Sequence, residues 1–324
     1  MGLLQYSNSM KNYKLKKKRN KMIFIEWLIL ILFVTIFGGY LYENIRFSKI
    51  QTNNKQSGRV SSVENSKIYY NVSGQGEYTV ILESNSGYGS IEWSNMVKNP
   101  PKNMKFLYYD RAGYGRSENI ETERTPENLA KELHEVISKS QYKPPYIFVG
   151  NNYGTEIVKE YNKLYGEEVA GMILMNPFID KEEGTSIKNM ASLNLQKFTG
   201  TIGSTRVLQS FNAIKIDENI LDSLSKNNRE LYINYRVSSR YPSMKISEMK
   251  GIKNIDLDNQ WIYDIDKPSV IYSDGNDVDT NKIGENVNLE VITGDYKGTV
   301  AALKEYEALI KALDSIIAKL PQKK

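Results

Sequence analysis

The chain has 324 residues, 40% hydrophobic and 11% aromatic, enough for the core of one full-sized α/β unit and against wholesale disorder. It has no cysteine and one histidine, His134. That excludes disulfides, a thiolate nucleophile and a cysteine-held metal, and it confines any histidine-dependent mechanism to one ring. The net charge of +5 is uneven: seven of the 43 Lys and Arg, and none of the 38 Asp and Glu, lie in the first 21 residues. The remainder is slightly acidic and gives no case for nucleic-acid binding.

Residues 22–42, MIFIEWLILILFVTIFGGYLY, follow that basic block directly. At ~1.5 Å per residue they span roughly 30 Å, the hydrocarbon thickness of a bilayer. Glu26 is the only charge and lies near the start, where it can snorkel to the head groups. The flanking lysines predict a cytoplasmic N-terminus and an extracytoplasmic domain at the cell membrane. The run ends GGYLYENI without an A-x-A-like site, which favours an uncleaved signal anchor over a cleaved signal peptide. Residues 1–21 are then a basic tail, and the polar, aperiodic residues 43–65 read as a linker.

Strands and helices alternate from there. SKIYYNVSGQG (66–76) and EYTVILES (77–84) read as strands, SIEWSNMVK as a short helix, and MKFLYYD (104–110) as a strand ending in the loop RAGYGRS. Thr125 N-caps an amphipathic helix over 125–140. YIFVG is a strand, TEIVKEYNKLYG a helix and EEVAGMILMNP a strand with its exit turn. After a polar, patchily helical segment over 178–265, PSVIYSDGND (268–277) and NLEVITGDYKG (288–298) restore the pattern, and one long helix follows over 299–320. This predicts a mostly parallel, doubly wound sheet over 66–320, with 178–265 inserted as a cap above the edge where open sheets place ligands. No cofactor motif is present, and neither a cofactor nor a metal is expected.

VILESNSGYGSIEWSNM, YYDRAGYGRS, NLAKELHEVI followed by PPYIFVGNNYG, and EEVAGMILMNP together resemble the α/β-hydrolase family, in its membrane-anchored bacterial branch, over about residues 40–320. The resemblance implies that family's sheet, an inserted cap and a nucleophile on the Gly-bounded elbow between strand and helix. The elbow here reads GNNYG, so Asn152 stands at the nucleophile position and Asn151 at the usual elbow histidine. The implied oxyanion donors are the backbone N–H groups of Tyr153 and of Asn85 or Ser86, which survive side-chain change. The family's catalytic histidine maps to Tyr296 or Lys297. Its acid maps to Asp277, with Asp274 and Asp279 nearby, or one strand earlier to Asn176.

Nucleophile and base are thus both replaced. In a serine protease, losing either one costs roughly a 10⁶-fold in kcat. The expected function is that of a pseudoenzyme, binding a small ester-like or lipid-like ligand or a protein partner. The alternative is an active esterase-like or lipase-like hydrolase that uses Asn152, or its deamidated form, with Lys297 or Tyr296 as base. A lysine serves there only if burial lowers its pKa. Asn85, Asn151, Asn152 and Tyr153 are expected to line a polar pocket. His134 reads as a structural helix residue. Asp110, Arg111, Gly113 and Gly115 read as a tied-down turn rather than a phosphate loop, because GYGRS is too short for either nucleotide motif.

Overall fold

The computed structural model describes residues 2–53, 58–177, 187–212, 214, 216–252, 265–273 and 288–321. Its first element, α1, spans Gly2–Asn53. Within it Lys16–Arg46 is long and apolar enough to cross a membrane. The helix runs well past the predicted span because no Gly or Pro occurs between residues 40 and 57.

Eight strands form one sheet: β1 (Arg59–Val63), β2 (Ser66–Gly74), β3 (Tyr78–Glu83), β4 (Met104–Tyr109), β5 (Tyr146–Asn151), β6 (Val169–Met175), β7 (Ser269–Ser273) and β8 (Leu289–Thr293). Their order is β1-β2-β4-β3-β5-β6-β7-β8. β2 pairs antiparallel with β1 and β4, and every other pairing is parallel. β1 lies in the stretch read as a linker. It forms a hairpin with β2 through Glu64 and Asn65, both at positive φ, a two-residue turn without the usual glycine. With β1 in place, the strand that precedes Asn85 is the third in chain order.

Side chains alternate strictly between the two faces, as in a sheet covered on both sides. Ile81, Phe148, Met172, Leu174 and Ile271 point to one face. There they meet α2 (Pro126–Ser138) and α3 (Tyr153–Tyr165) through Leu133, Ile137, Ile157 and Tyr161. Val80, Leu82, Val149, Ile173 and Val270 point to the other face. They are covered by Trp93 in a 3-10 turn (Gly89–Trp93) and by two C-terminal helices, which contribute Ala301, Leu309, Leu313 and Ile316. Those helices follow β8 and replace the single predicted one, because the backbone departs from helical geometry at Glu305 (φ −108°, ψ 24°).

The cap contains α4 (Ile187–Thr201), α5 (Ser204–Ser210), α6 (Glu218–Ser223), α7 (Lys226–Val237) and α8 (Arg240–Ile252). α9 (Gly298–Lys304) and α10 (Tyr306–Lys319) are the C-terminal pair. Ile220, Leu224 and Tyr232 of the cap pack on Leu303 of α9. The chain leaves β3 toward β4 on one side and leaves β5 toward β6 on the other. The crevice between the C-terminal ends of β3 and β5 is therefore the topological switch point, where sheets of this kind bind ligands.

Candidate functional site

Asn152 sits between β5 and α3 at φ 47°, ψ −111°, a conformation strained for any residue with a Cβ. The neighbouring glycines permit the turn. A Cβ on Gly154 would lie 2.5 Å from the Glu83 carbonyl oxygen, and one on Gly150 would lie 3.0 Å from that of Gly154. α3 thus begins almost in contact with the end of β3. The elbow is present, and the carboxamide it carries folds back: Asn152 Oδ1 accepts the Tyr153 backbone N–H at 3.0 Å.

The backbone N–H groups that the resemblance implies as oxyanion donors are Tyr153 and Asn85 or Ser86. The chain's own oxygens accept from each of these candidate groups. Tyr153 N donates to Asn152, Asn85 N to Glu92 Oε2 at 2.6 Å, and Ser86 N to Asn85 Oδ1 at 2.6 Å. The side chain of Ser86 has a buried hydroxyl with no hydrogen-bond partner.

Glu92 is the central residue of the site and was not anticipated. It lies in the 3-10 turn and is 0% exposed. Its Oε1 accepts from Asn151 Nδ2 at 2.7 Å and from the Thr299 hydroxyl at 2.5 Å. One carboxylate therefore binds the loop after β3, the elbow and the first turn of α9. Burial raises its pKa to about 7, against the opposing hydrogen bonds from Thr299, Asn85 and Asn151.

Arg111 anchors a second cluster behind the same loop. It pairs with Glu83 of β3 and, at 3.0 Å, with Glu248 of α8, and it donates to the Ser84 carbonyl at 2.7 Å. Tyr109 donates to Glu83, and Tyr114 to Glu248. Burial raises the Glu83 pKa in spite of the Arg111 charge. Through this arginine the cap is ionically fixed to the sheet. Asp110 accepts from the Ser90 backbone and hydroxyl and from Arg116 N, and Gly113 and Gly115 take positive φ. The loop is a tied turn.

The four residues expected to line a polar pocket differ in burial. Asn151 and Tyr153 are fully buried, with the Tyr153 hydroxyl donating to the Arg124 carbonyl, while Asn85 and Asn152 remain partly accessible. Tyr296 and Lys297 lie exposed in the turn before α9, with Lys304 over the Tyr296 ring. That turn reaches the elbow region through Thr299 on Glu92 and through Gly298, whose added Cβ would lie 3.9 Å from Asn85 Nδ2. Asp274, Asp277 and Asp279 lie outside the described residues. Asn176, at φ 45°, is 7% exposed; its backbone N–H donates to the Tyr272 carbonyl at 2.7 Å, and neither atom of its side-chain amide has a hydrogen-bond partner among the described residues. His134 lies away from the elbow, stacked on Tyr165 with ring centroids 3.9 Å apart and paired with Glu168.

This fold has counterparts among solved structures. The enol-lactonase of Burkholderia xenovorans superposes with a TM-score of 0.63 at 13% identity, over 81% of this chain and 100% of that one. The chain has the α/β-hydrolase fold. A hydrolase from Pseudomonas aeruginosa gives 0.62 at 12% identity over 82% and 99% of the two chains. The hydrolase MGS-M2 from a deep-sea metagenome library gives 0.60 at 16% identity over 82% and 99%. Among curated proteins, the uncharacterized YbdG of Bacillus subtilis is 26% identical over 158 residues, 48% of each chain. The uncharacterized YqjL of the same organism is 29% identical over 104 residues, 32% of this chain and 41% of that one. Each match thus spans less than half of the curated relative. No family model matches the sequence.

Proposed function

We propose that this α/β-hydrolase-fold protein is a membrane-anchored, catalytically inactive binding module. The observation that carries the reading is the elbow itself. The Asn152 carboxamide is no useful nucleophile, and it occupies the Tyr153 N–H that would otherwise stabilise a developing oxyanion. No histidine stands near it, since His134 is stacked on α3. The ligand class that fits the scaffold is a small ester-like or lipid-like molecule held between the cap and the switch point, where the Asn176 side-chain amide has a donor and an acceptor unpartnered among the described residues. The span over residues 22–42 would place the basic tail in the cytoplasm and the domain outside the cell membrane, in line with the lysine block before it.

A second reading is an active hydrolase with Asn152 at the nucleophile position, Lys297 or Tyr296 as base and Asp277 as acid. It draws support from the enzymes among the structural neighbours. The two readings separate on the fate of a bound ester. The full chain in detergent is warmed with and without medium-chain esters, and the esters are then recovered. The proposal expects a ligand-dependent rise in melting temperature with the ester intact. Acid and alcohol formed faster than with Asn152→Ala would overturn it.

A further inference from the structure

α1 carries the cap on its side. Gly39 lies so close to the turn between α4 and α5 that an added Cβ would be 2.1 Å from the Ile202 carbonyl oxygen. One turn on, the Glu43 carboxylate takes two hydrogen bonds from Arg206, at 2.7 and 3.0 Å. Three residues further, Arg46 donates to Asn234 Oδ1 of α7, at 3.2 and 3.0 Å, and Arg206 donates to that same oxygen at 2.7 Å. Positions 39, 43 and 46 share one helix face. Gly39 is three residues inside the end of the predicted span, roughly 4.5 Å in depth. The α4–α5 turn therefore stands at the level of the last turn of the span, where a bilayer meets water.

The composition of α4 and α5 matches that depth. Outside α1, eight large hydrophobic residues are exposed among the described residues, and five of them, Leu195, Phe198, Val207, Leu208 and Phe211, lie on this segment. Phe211 is 79% exposed and Leu195 65%. Residues 187–212 contain Lys188, Lys197 and Arg206 and no acidic residue. Apolar side chains with lysines and no acids are the make-up of helices that lie in the head-group region. Apolar clustering of this kind on an otherwise polar surface marks a contact face.

We propose that α4 and α5 rest in the lipid–water interface. The five apolar side chains of α4, α5 and the α5 C-cap Phe211 reach the acyl boundary, so the cap is held against the bilayer by α1 on one side and by lipid beneath. A membrane-dissolved ligand would then meet the cap before any other part of the domain. The inference rests on α1 crossing the membrane and is independent of whether the elbow is inert.

The natural absence of cysteine permits a direct test. Single variants Phe198→Cys, Phe211→Cys, Leu164→Cys and Leu30→Cys of the full chain are labelled with a polarity-sensitive dye. They are reconstituted in phosphatidylcholine–phosphatidylglycerol vesicles with or without lipids bearing a shallow nitroxide. Leu164 lies at the C-terminal end of α3, where the chain returns to the start of β6, whereas the cap follows the end of β6, and Leu30 lies within the span. The labels at 198 and 211 should be quenched by the nitroxide and be at least about threefold less accessible to iodide than the label at 164. Gly39→Leu should abolish that lipid quenching and leave the label at 30 protected. Iodide access at 198 and 211 equal to that at 164 would overturn the proposal. So would protection without lipid quenching, the result expected if a second copy or another protein covers the face. An unprotected label at 30 would remove the membrane anchor itself, and the cap placement with it.

Discussion

The carboxylate of Glu92 lies 2.7 Å from the amide nitrogen of Asn151, with both side chains wholly removed from solvent. The pair ties Asn151, the residue before Asn152, to the 3-10 turn that follows the loop after β3, and Thr299 completes the knot from α9.

That burial makes the fold pH-sensitive. An ordinary glutamate titrates near 4.5 and Glu92 near 7, so the folded chain holds a proton there that the unfolded chain has released. The protonated form is present in both states below about 4.5. Stability then falls as pH rises and levels off above about 7, with a loss on the order of 3 kcal/mol at about 1.4 kcal/mol per tenfold change in affinity. Glu92→Gln keeps a neutral side chain at every pH. Urea titrations at pH 5 and pH 8 should show the variant losing less stability than the parent, by up to that amount. Parallel losses would mean that Glu92 does not titrate in this window.

Arg111 holds two buried carboxylates at once, Glu83 on the sheet and Glu248 on the cap. Replacing it with methionine strands both, and breaking a buried pair from one side typically costs roughly 3–5 kcal/mol. Glu248→Gln keeps hydrogen-bonding capacity and should cost less than Arg111→Met. Limited proteolysis gives a second readout, because loss of the Arg111–Glu248 link should speed cleavage in the cap before the sheet. Equal stability of Arg111→Met and the parent would show that the cluster contributes nothing net.

The elbow depends on close backbone approach. A methyl group at Gly154 would press 2.5 Å from the Glu83 carbonyl and 2.9 Å from that of Ser84, neither of which can move without shifting β3. Gly154→Ala should destabilise by roughly 1–3 kcal/mol, as overpacking does. Gly166→Ala should be near neutral by comparison, since its nearest neighbours would stand at 3.9 Å. Thermal denaturation of the two variants side by side checks the difference.

Much of the sheet was legible because its signals are local. The apolar runs at 78–83 and 146–150, the Thr125 cap and the glycines around Asn152 each act within a few residues. The hairpin strand Arg59–Val63 was not legible, since its turn lacks glycine and only Ser61 and Val63 of the strand are buried. The break at Glu305 has no proline or glycine to announce it either. For the site, the position of the elbow could be read from spacing, but the occupation of its donors could not. That depends on Glu92, which stands 59 residues from Asn151 and 207 from Thr299 in the chain. An acidic residue in an apolar turn just before Trp93 was the one available hint, and a solvated glutamate would have the same sequence context.

The most direct test of the account is turnover of short- and medium-chain p-nitrophenyl esters by the full chain, with Asn152→Ala beside it. The elbow carboxamide is held on the Tyr153 N–H and no histidine stands near it. Identical rates are therefore expected for the two proteins, no faster than buffer with an unrelated protein. Turnover by the parent well above that of Asn152→Ala would contradict the account. It would direct attention to Lys297, to Tyr296 and to the mass of the residue at position 152.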